Sequence, residues 1–411
     1  MGERGRNSHI GAAGSRRKKG GRRAQQPAGR RAQPSPGAHP GEGSTEGRGE
    51  GRAASRRAPR GRRGQRRPRS KVKTLLIFVL LPLLVLGGAG FAWMYFALDG
   101  NLKTVDIEAE LGSDRPPEVD NGSMDVLVLG SDSRQGDNGQ YGKDVGSARS
   151  DIAMIVHVHA GNEKASVVSI PRDTLVSRPQ CMGRSKVRPA AERQMFNTAY
   201  EIGGPACAVK TAEKLSGLRM DHYVEVDFGS FKTLIDALGG VPITTTKAID
   251  DPKSHLKLAA GTHRLDGEQA LGLVRTRKSV GDSSDLGRIQ LQQAFMKALM
   301  EEIKGVGVLN PKKLYGLADA ATQTLTTDSG LGSVMSLASF GNRLGGIGSK
   351  DMNMITLPID YDAKDPERVI PLKDQSELLW MSLRMDKPIP PAVTENSAGD
   401  KVDAGKVVKS D

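Results

Sequence analysis

One stretch of the 411-residue sequence, LGLVRTRKSVGDSSDLGRIQLQQ, concentrates charged and amide side chains between Leu271 and Gln293. Arg275 and Arg277 are two residues apart, so they point to the same side of an extended segment. Asp285 and Arg288 have the spacing of one face in the first turns of a helix. Guanidinium groups bind phosphate oxygens in pairs, so the stretch predicts a site for a polyanion such as pyrophosphate. A ladder of exposed salt bridges is the alternative.

Further charged residues stand at the ends of predicted strands. Asp132 follows the apolar run VLVLGS, and Arg172 and Asp173 follow VVSIP, whereas Arg149 and Asp151 precede IAMIV. Because open α/β sheets bind ligands at strand ends, we expect these side chains to lie on one rim. Carboxylates are the ligands that hard divalent cations prefer, so Asp132 and Asp151 predict a site for Mg²⁺, or for Mn²⁺.

The elements that must position these residues are short strands that alternate with helices. The strand candidates are rich in β-branched residues: MDVLVLGSDS, IAMIVHVHA, KASVVSIPRDT, HYVEVDF and VPITTT. The helical patterns cover Glu192–Ile202, Pro205–Leu215, Phe231–Leu238, Gly267–Val274 and Leu286–Ile303. This alternation predicts an α/β sandwich around a mostly buried sheet. The apolar faces of FGSFKTLIDALGGV and QQAFMKALMEEI are expected to be core, although a tunnel lining has the same pattern.

The net charge of +13 belongs to the N-terminal tail rather than to the predicted domain. Residues 1–70 carry 20 Lys and Arg against 4 Asp and Glu, so the remaining residues have a net charge of −3. The tail is Gly-, Pro-, Arg- and Ala-rich, and we expect residues 1–73 to be a disordered cytoplasmic tail. It lacks aromatic residues and a helix-turn-helix pattern, which favours anionic lipid or an envelope-assembly protein over specific nucleic acid as its partner.

Residues 74–98 form an uncharged run of 25 residues that predicts a transmembrane helix. At 1.5 Å per residue such a helix crosses a hydrocarbon core of about 30 Å. Basic residues precede the run and acidic residues follow it, so the positive-inside rule predicts a single-pass protein of the cell membrane with an extracellular C-terminal part. A cleaved secretory signal is the alternative, but the run and the segment before it are too long.

The chain beyond the membrane helix divides into three predicted segments. Residues 99–123 have the composition of an extracellular linker, and residues 124–390 have that of a folded domain. Residues 391–411 are expected to be a polar C-terminal tail.

Cys181 and Cys207 are the two cysteines of the chain. In an oxidising extracellular compartment they predict a disulfide, and two unrelated buried thiols are the alternative. His157 and His159 alternate on a predicted strand, and we expect them to be structural rather than ligands.

The motifs LVLGSDS, RSDIAMIV, SIPRDT, FNTAYEIGGPACAVKTAEKLSG, HYVEVDFGSFKTLIDALGGVPI, GTHRLDGEQALGLVRTR and DLGRIQLQQ resemble, in order and approximate spacing, the LytR-CpsA-Psr family of cell-wall glycopolymer ligases. The resemblance covers roughly Met124 to Ile303. It implies a three-layer α/β/α sandwich with a central mixed sheet and a long apolar pocket for a lipid tail. It also implies ATP-independent, Mg²⁺-dependent transfer of a glycopolymer from a polyprenyl pyrophosphate carrier to a peptidoglycan acceptor through a phosphodiester.

The resemblance implies roles for individual residues. Asp132 and Asp151 would hold Mg²⁺. The arginines that would contact the pyrophosphate are Arg149, Arg172, Arg275, Arg277 and Arg288. Asp285 would orient an arginine or act on the incoming hydroxyl, and Gln292 would assist in binding. Asn197 would lie near the site, with helix capping as its alternative role.

Two features depart from the family pattern, and two other functions stay open. Leu291 stands where many members have arginine, and the insertion QGDNGQYGKDVGSA lengthens the loop between the two expected metal ligands.

The first alternative function is a membrane-anchored regulator of the envelope or of transcription that senses a polyprenyl phosphate. The second is a pyrophosphatase that acts on lipid carriers.

Overall fold

The computed structural model describes residues 76–131, 150–183, 186–277, 285–306, 310–395, 397–399 and 408–409. The helices are α1 (Leu81–Asp99), α2 (Glu108–Leu111), α3 (Phe196–Ser216), α4 (Phe228–Leu238), α5 (Gly267–Arg275), α6 (Asp285–Gly305), α7 (Pro311–Thr324), α8 (Val334–Gly345) and α9 (Lys373–Arg384). The strands are β1 (Lys103–Val105), β2 (Met124–Ser131), β3 (Ser150–Val158), β4 (Ala165–Ser169), β5 (Leu175–Arg178), β6 (Cys181–Met182), β7 (Val187–Arg188), β8 (Ala191–Met195), β9 (His222–Asp227), β10 (Val241–Thr245), β11 (Ile249–Asp251), β12 (Leu256–Leu258), β13 (Gly261–Leu265), β14 (Thr326–Asp328), β15 (Met352–Thr356), β16 (Ile359–Tyr361), β17 (Val369–Pro371) and β18 (Val408–Lys409).

A mixed sheet of seven strands in the order β1-β14-β9-β2-β3-β4-β15 forms the centre of the domain. β3 is antiparallel to both β2 and β4, whereas β9 is parallel to β2. Leu127 and Ile155 face one apolar cluster that includes Trp380 of α9, and Val126 and Val167 face a second cluster on the opposite side. Both faces of the central strands are therefore covered, which is why these strands are almost continuously apolar. The structure confirms the predicted α/β/α sandwich with a mixed central sheet.

Helix α3 begins later than its sequence pattern predicts. The predicted helix starts at Glu192, but residues 191–195 form β8, which pairs with β5. The amide of Phe196 donates to the carbonyl oxygen of Thr174 at 2.9 Å, which ties the start of the helix to the segment after β4. Pairing with β5, a strand about 15 residues earlier in the chain, outweighs the local helix propensity of this segment.

A disulfide joins Cys181 of β6 to Cys207 of α3. Helix α3 is kinked beside it, because Gly203 and Gly204 have non-helical backbone angles just before Pro205. A Cβ atom at Gly203 would lie only 2.8 Å from the Cβ of Cys207, so glycine is required at this close approach. The disulfide and the kink together hold the β6–β7 hairpin against α3.

The N-terminal helix is the one helix in the described residues that is long and apolar enough to cross a membrane, over Leu76–Asp99. Its large apolar side chains, such as Leu84 and Trp93, are exposed in the isolated chain. Its last residues belong to the folded domain, because Leu98 is buried and the carboxylate of Asp99 accepts a hydrogen bond from the amide of Val334 at 2.9 Å. The helix therefore ends directly on the domain.

The segment expected to be a linker, residues 99–123, contributes to the fold. Strand β1 pairs in parallel with β14 at the edge of the central sheet. Ile107 and Leu111 are buried in the cluster that α3 covers. The expectation from composition fails because a few apolar residues spaced among acidic ones are enough to anchor a segment to a sheet edge.

Part of the expected polar C-terminal tail also packs on the domain. Val393 is fully buried, and β18 pairs with β10 through Val408 and Lys409. The unpaired edge of β10 accepts this strand, so a polar composition does not leave the segment free.

The disulfide gives a stability prediction. Replacing Cys181 and Cys207 together by alanine should lower the free energy of unfolding by about 3–4 kcal/mol, because the unfolded chain then regains the entropy of a loop of 26 residues. Urea unfolding with and without dithiothreitol measures the effect. The reductant should shift the wild-type midpoint and leave that of the double variant unchanged, and an unshifted wild-type midpoint would contradict the prediction.

Candidate active site

Several of the predicted charged residues meet at the edge of the sheet where β4 ends and β3 begins. We call this group the rim; it consists of Asp151, Arg172, Asp173, Arg277, Asp285 and Arg288. The register of these antiparallel strands, with Met154 opposite Ser169, places the residues after β4 beside the start of β3. A guanidinium nitrogen of Arg172, Nη1, lies 2.9 Å from Oδ1 of Asp151, and its Nε lies 3.3 Å from Oδ2 of Asp173. Residues from two predicted strand ends thus meet as ion pairs.

Asp285, the first residue of α6, contacts three arginines from three parts of the chain. Its Oδ1 lies 2.7 Å from Nη2 of Arg288 in the next turn of the helix. The same oxygen lies 3.5 Å from Nη2 of Arg277 and 3.7 Å from Nε of Arg172. The structure therefore joins the basic stretch to the strand-end rim through one carboxylate.

Arg288 is the most deeply buried of these arginines, with 5% of its side chain exposed. Burial is the main cause that lowers the pKa of Arg288 to about 10; the charges of Arg277 and Arg172 act in the same direction, and Asp285 opposes them. Burial also acts on Arg172, but Asp285, Asp151 and Asp173 outweigh it and raise the pKa of that guanidinium. The carboxylates of the rim therefore stabilise the charged form of Arg172. The charged form of Arg288 is not stabilised enough to offset its burial, so an additional anion beside it would be favourable.

Two more of the predicted site residues, Arg275 of α5 and Gln292 of α6, also lie beside the rim. The guanidinium carbon of Arg275 lies 4.7 Å from the ring centroid of Phe228, which holds this side chain by a cation–π contact. Gln292 donates from Nε2 to the carbonyl oxygen of Val274 at 2.9 Å and thereby links the two helices. Gln292 therefore stabilises the packing of two helices and also lines the cavity beside the rim.

Asn197 is buried behind the rim. Its backbone amide donates to the carbonyl oxygen of Arg172 at 3.2 Å. Within the part of the chain that the structure describes, its side-chain Oδ1 has no hydrogen-bond donor. The backbone contact ties the start of α3 to the turn that carries Arg172. Asp132 and Arg149, expected as a metal ligand and an anion contact, lie outside the described residues.

The sequence did not indicate two contacts at the rim, that of Asp251 with Arg277 and that of Arg368 with Asp173. Asp251 is buried, and its Oδ2 accepts a hydrogen bond from the amide of Arg277 at 3.0 Å. Arg368 places Nη1 at 3.5 Å from Oδ1 of Asp173. Neither contact has a local signal, because Asp251 and Arg277 are separated by 26 residues and Arg368 and Asp173 by many more.

Behind the rim lies a cavity of about 620 Å³. Its mouth is charged and is formed by Asp151, Asp227, Asp251, Lys253, Arg275, Arg277 and Arg288. Its interior is apolar and is lined from β2, β3, β9 and α4–α7 by residues including Val128, Ile152, Val226, Phe231, Leu234, Ile235, Leu238, Leu271, Phe295, Met296, Leu299, Ile303 and Leu317. The faces that were expected to be core thus line a cavity in part.

The cavity is elongated along α6. Arg288, Gln292, Leu299 and Ile303 lie on one face of this helix and all line the cavity. Arg288 and Ile303 are 15 residues apart, which corresponds to about 22 Å of helix. A group bound at the mouth could therefore extend a long apolar tail into the domain.

The chain is similar to several known proteins. The LytR_cpsA_psr family model matches residues 94–381. Two relatives from Corynebacterium glutamicum are "Probable cell wall biosynthesis protein LcpB", 35% identical over 50% of this chain, and "Cell wall biosynthesis protein LcpA", 29% identical over 70%. The matched regions cover 48% and 60% of those proteins, respectively. "Regulatory protein MsrR" from Staphylococcus aureus is 32% identical over 61% of this chain and 68% of its own length.

Solved structures with similar folds reach 25% sequence identity or slightly more. The LytR-Csp2A-Psr enzyme from Actinomyces oris has a TM-score of 0.51 and 25% identity, and the match covers 69% of this chain and 96% of that one. TagT bound to LIIa-WTA has a TM-score of 0.51 and 26% identity, with coverages of 69% and 98%.

The shared carboxylate gives a second stability prediction. Asp285→Ala should lower the free energy of unfolding by about 3 kcal/mol, because it leaves the buried Arg288 without its nearest carboxylate. Lys257→Ala is the control, since its pair with Asp250 is exposed and is worth at most about 1 kcal/mol. Chemical unfolding of the variants beside wild type measures both changes. Equal effects of the two substitutions would show that Asp285 does not hold the rim together.

Proposed function

This chain belongs to the LytR-CpsA-Psr family, and we propose that it transfers a glycopolymer from a polyprenyl pyrophosphate carrier to peptidoglycan on the outer side of the cell membrane. The observation that carries the proposal is the cavity, which combines an apolar interior with a mouth ringed by arginines. A lipid pyrophosphate has the same two parts in the same order. The cationic tail would lie in the cytoplasm and contact anionic lipid or an envelope-assembly protein.

The polyprenyl tail would occupy the apolar interior beside α6. Each methylene group that leaves water for such surroundings contributes about 0.8 kcal/mol, so a tail along about 22 Å of helix supplies much of the binding energy. This binding does not depend on the sugar sequence. It would fix the pyrophosphate at the mouth and leave the glycopolymer in solvent.

The pyrophosphate would lie among the rim arginines. Arg288 is buried and favours an additional anion, and 39% of the Arg277 side chain is exposed toward an incoming headgroup. Arg172 and Arg275 would complete the contacts with bidentate hydrogen bonds to phosphate oxygens. Because three of these arginines contact Asp285, we assign that carboxylate the orienting role rather than the role of a base.

The reaction would be an in-line displacement at the phosphorus that bears the glycopolymer. The oxygen of a peptidoglycan hydroxyl forms a bond to this phosphorus, the bridging P–O bond breaks, and polyprenyl phosphate leaves while the hydroxyl proton passes to solvent. Negative charge grows on the leaving phosphate, and fixed guanidinium groups stabilise that charge without reorganising. The pyrophosphate bond supplies the driving energy, so ATP is not required.

The chemistry of the carboxylates at the mouth fits a hard divalent cation. Oxygen ligands suit Mg²⁺, and Asp151 lies at the mouth with its Oδ1 aligned by Arg172 at 2.9 Å. Asp132 and Asp151 would hold the ion, which when bound would neutralise charge on the pyrophosphate oxygens.

The relatives support the substrate class. Two of them are cell wall biosynthesis proteins, and TagT has been solved with LIIa-WTA, a wall teichoic acid ligand. The name of the regulatory relative MsrR favours a second candidate, a membrane-anchored regulator that binds the same lipid without turnover. A hydrolase that uses water as the acceptor is an outcome that the first experiment below can reveal.

Arg277→Ala should lower turnover by about 100-fold or more, because it removes one donor to the developing phosphate charge while the fold keeps its buried arginines. The assay follows polyprenyl phosphate release by the detergent-solubilised full-length chain with Mg²⁺, with EDTA, and with or without peptidoglycan. Arg264→Ala is the control, since this arginine is about half exposed and lies on β13, away from the cavity.

Three results of that assay decide between the candidates. Release that requires both Mg²⁺ and peptidoglycan would support the transferase. Release without peptidoglycan would identify a hydrolase, and lipid binding without release would identify the regulator. Equal turnover by Arg277→Ala and Arg264→Ala would exclude the rim as the reaction site.

Leu299→Trp tests the tail-binding role of the cavity. The larger side chain should block the inner part of the cavity, so turnover of a long-chain carrier should fall by about 10-fold or more while that of a short-chain carrier stays near wild type. Leu314→Trp, at an exposed position on α7, is the matched control. An equal loss with both carriers would mean that the tail does not occupy this cavity.

A further inference from the structure

A second group of metal-ligating side chains lies at the opposite end of β3. His157 is the eighth residue of this strand and His159 follows its last residue, whereas Asp151 lies at its start. Six residues separate Asp151 from His157, which corresponds to about 20 Å of strand. The group therefore belongs to a different region from the arginine rim.

We propose that His157, His159 and Asp386 form a binding site for a zinc-like divalent cation. His157 and His159 are two residues apart, so both imidazoles lie on the same side of the strand. Asp386 reaches them from the segment that follows α9. One potential ligand atom from each of the three residues lies within 4.8 Å of the other two.

The three candidate ligand atoms converge on a small region. Nε2 of His157 lies 3.1 Å from Oδ1 of Asp386, and Nδ1 of His159 lies 2.5 Å from the same oxygen. Bound to one ion at about 2.0–2.1 Å, ligand atoms lie about 3 Å apart, so small side-chain shifts would complete the arrangement.

The other polar atom of each candidate ligand already has a partner. Nδ1 of His157 donates to Oδ1 of Asp125 at 2.8 Å, and Nε2 of His159 lies 2.9 Å from Oγ of Ser166. Oδ2 of Asp386 accepts a hydrogen bond from the amide of Ala160 at 3.2 Å. Outer partners of this kind fix the orientation of metal ligands, and the three inner atoms, which contact one another in the metal-free chain, would turn to the ion when it binds.

The carboxylates around His157 give an independent reason for a cation. This imidazole has no solvent exposure, and its two ring nitrogens face Asp125 and Asp386. An ion at Nε2 would place positive charge between His157 and Asp386 while Nδ1 keeps its contact with Asp125.

The donor set selects the metal. Two imidazole nitrogens and one carboxylate oxygen suit a borderline cation such as Zn²⁺, whereas Mg²⁺ prefers an all-oxygen set. The side chains of His159 and Asp386 are 18% and 17% exposed, so an ion and one water ligand can reach the site from solvent. The bound ion would join the end of α9 to the central sheet. This inference differs from the expectation that both histidines are only structural.

The test is metal binding by the full-length chain, purified in detergent through a tag without histidines, stripped with EDTA, and then dialysed against Zn²⁺ or Co²⁺ and freed of unbound metal. We expect one equivalent of Zn²⁺ by mass spectrometry of the metal, and visible d–d absorption from Co²⁺ that excess Mg²⁺ does not remove. His159→Gln and Asp386→Asn should abolish both signals. Asp125→Asn should weaken binding by roughly 10- to 100-fold, because it removes an outer partner of a ligand.

Two variants serve as controls, and with excess Mg²⁺ present to occupy the rim, where Asp151 is proposed to hold that ion, both should keep the Co²⁺ absorption of the wild type. His263→Gln removes a histidine of β13 that lies outside the group, and Asp151→Asn removes a carboxylate of the arginine rim. Circular dichroism verifies folding, and the partly exposed His159→Gln decides the test if Asp386→Asn does not fold. Absence of Zn²⁺ from the wild-type chain, or equal binding by His159→Gln and His263→Gln, would overturn the proposal. Loss of binding in Asp151→Asn alone would move the metal to the rim.

Discussion

The rim depends on the attraction between the carboxylate of Asp285 and guanidinium groups that come from three segments. Like charges would otherwise separate Arg172, Arg277 and Arg288, and each lies within 3.7 Å of the same oxygen. Asp151 and Asp173 also contact Arg172, whereas within the described residues Arg288 pairs with the carboxylate of Asp285, which it shares with two other arginines. This sharing at a buried guanidinium is what makes the mouth suited to an anion with several phosphate oxygens.

The cavity behind this rim imposes a second constraint on the fold. Protein interiors are normally packed to the density of organic crystals, so a space of about 620 Å³ forgoes contacts that a filled core would make. The surrounding elements must be stable without it. The two clusters on either side of the central strands and the separate cluster of α4–α6 with β10–β13 supply that stability, and the cavity lies where their elements meet.

The membrane helix and the domain are joined more closely than a flexible tether would allow. Asp99 bonds to the start of α8 and Asn101 contacts Asp319 of α7, while β1 extends the sheet only four residues after the helix ends. Leu317 of α7 lines the cavity. The apolar N-terminal helix and the wall of the cavity are thus parts of one connected set of elements.

The sequence by itself determined the features that depend on local periodicity and composition. Alternating strand and helix patterns predicted an α/β sandwich, which the family resemblance specified as α/β/α. An uncharged run predicted a helix that could cross a membrane, and the spacing of Asp285, Arg288 and Gln292 predicted one face of α6. Only the tertiary structure decided that β8 replaces the first turn of a predicted helix, that Asp251 holds the backbone of Arg277, and that residues 103–111 join the core. It also decided which apolar side chains line a cavity rather than fill one. The physical reason is that periodicity records which side of an element is buried, whereas strand pairing, ion pairs and empty space depend on residues far apart in the chain that only the topology brings together.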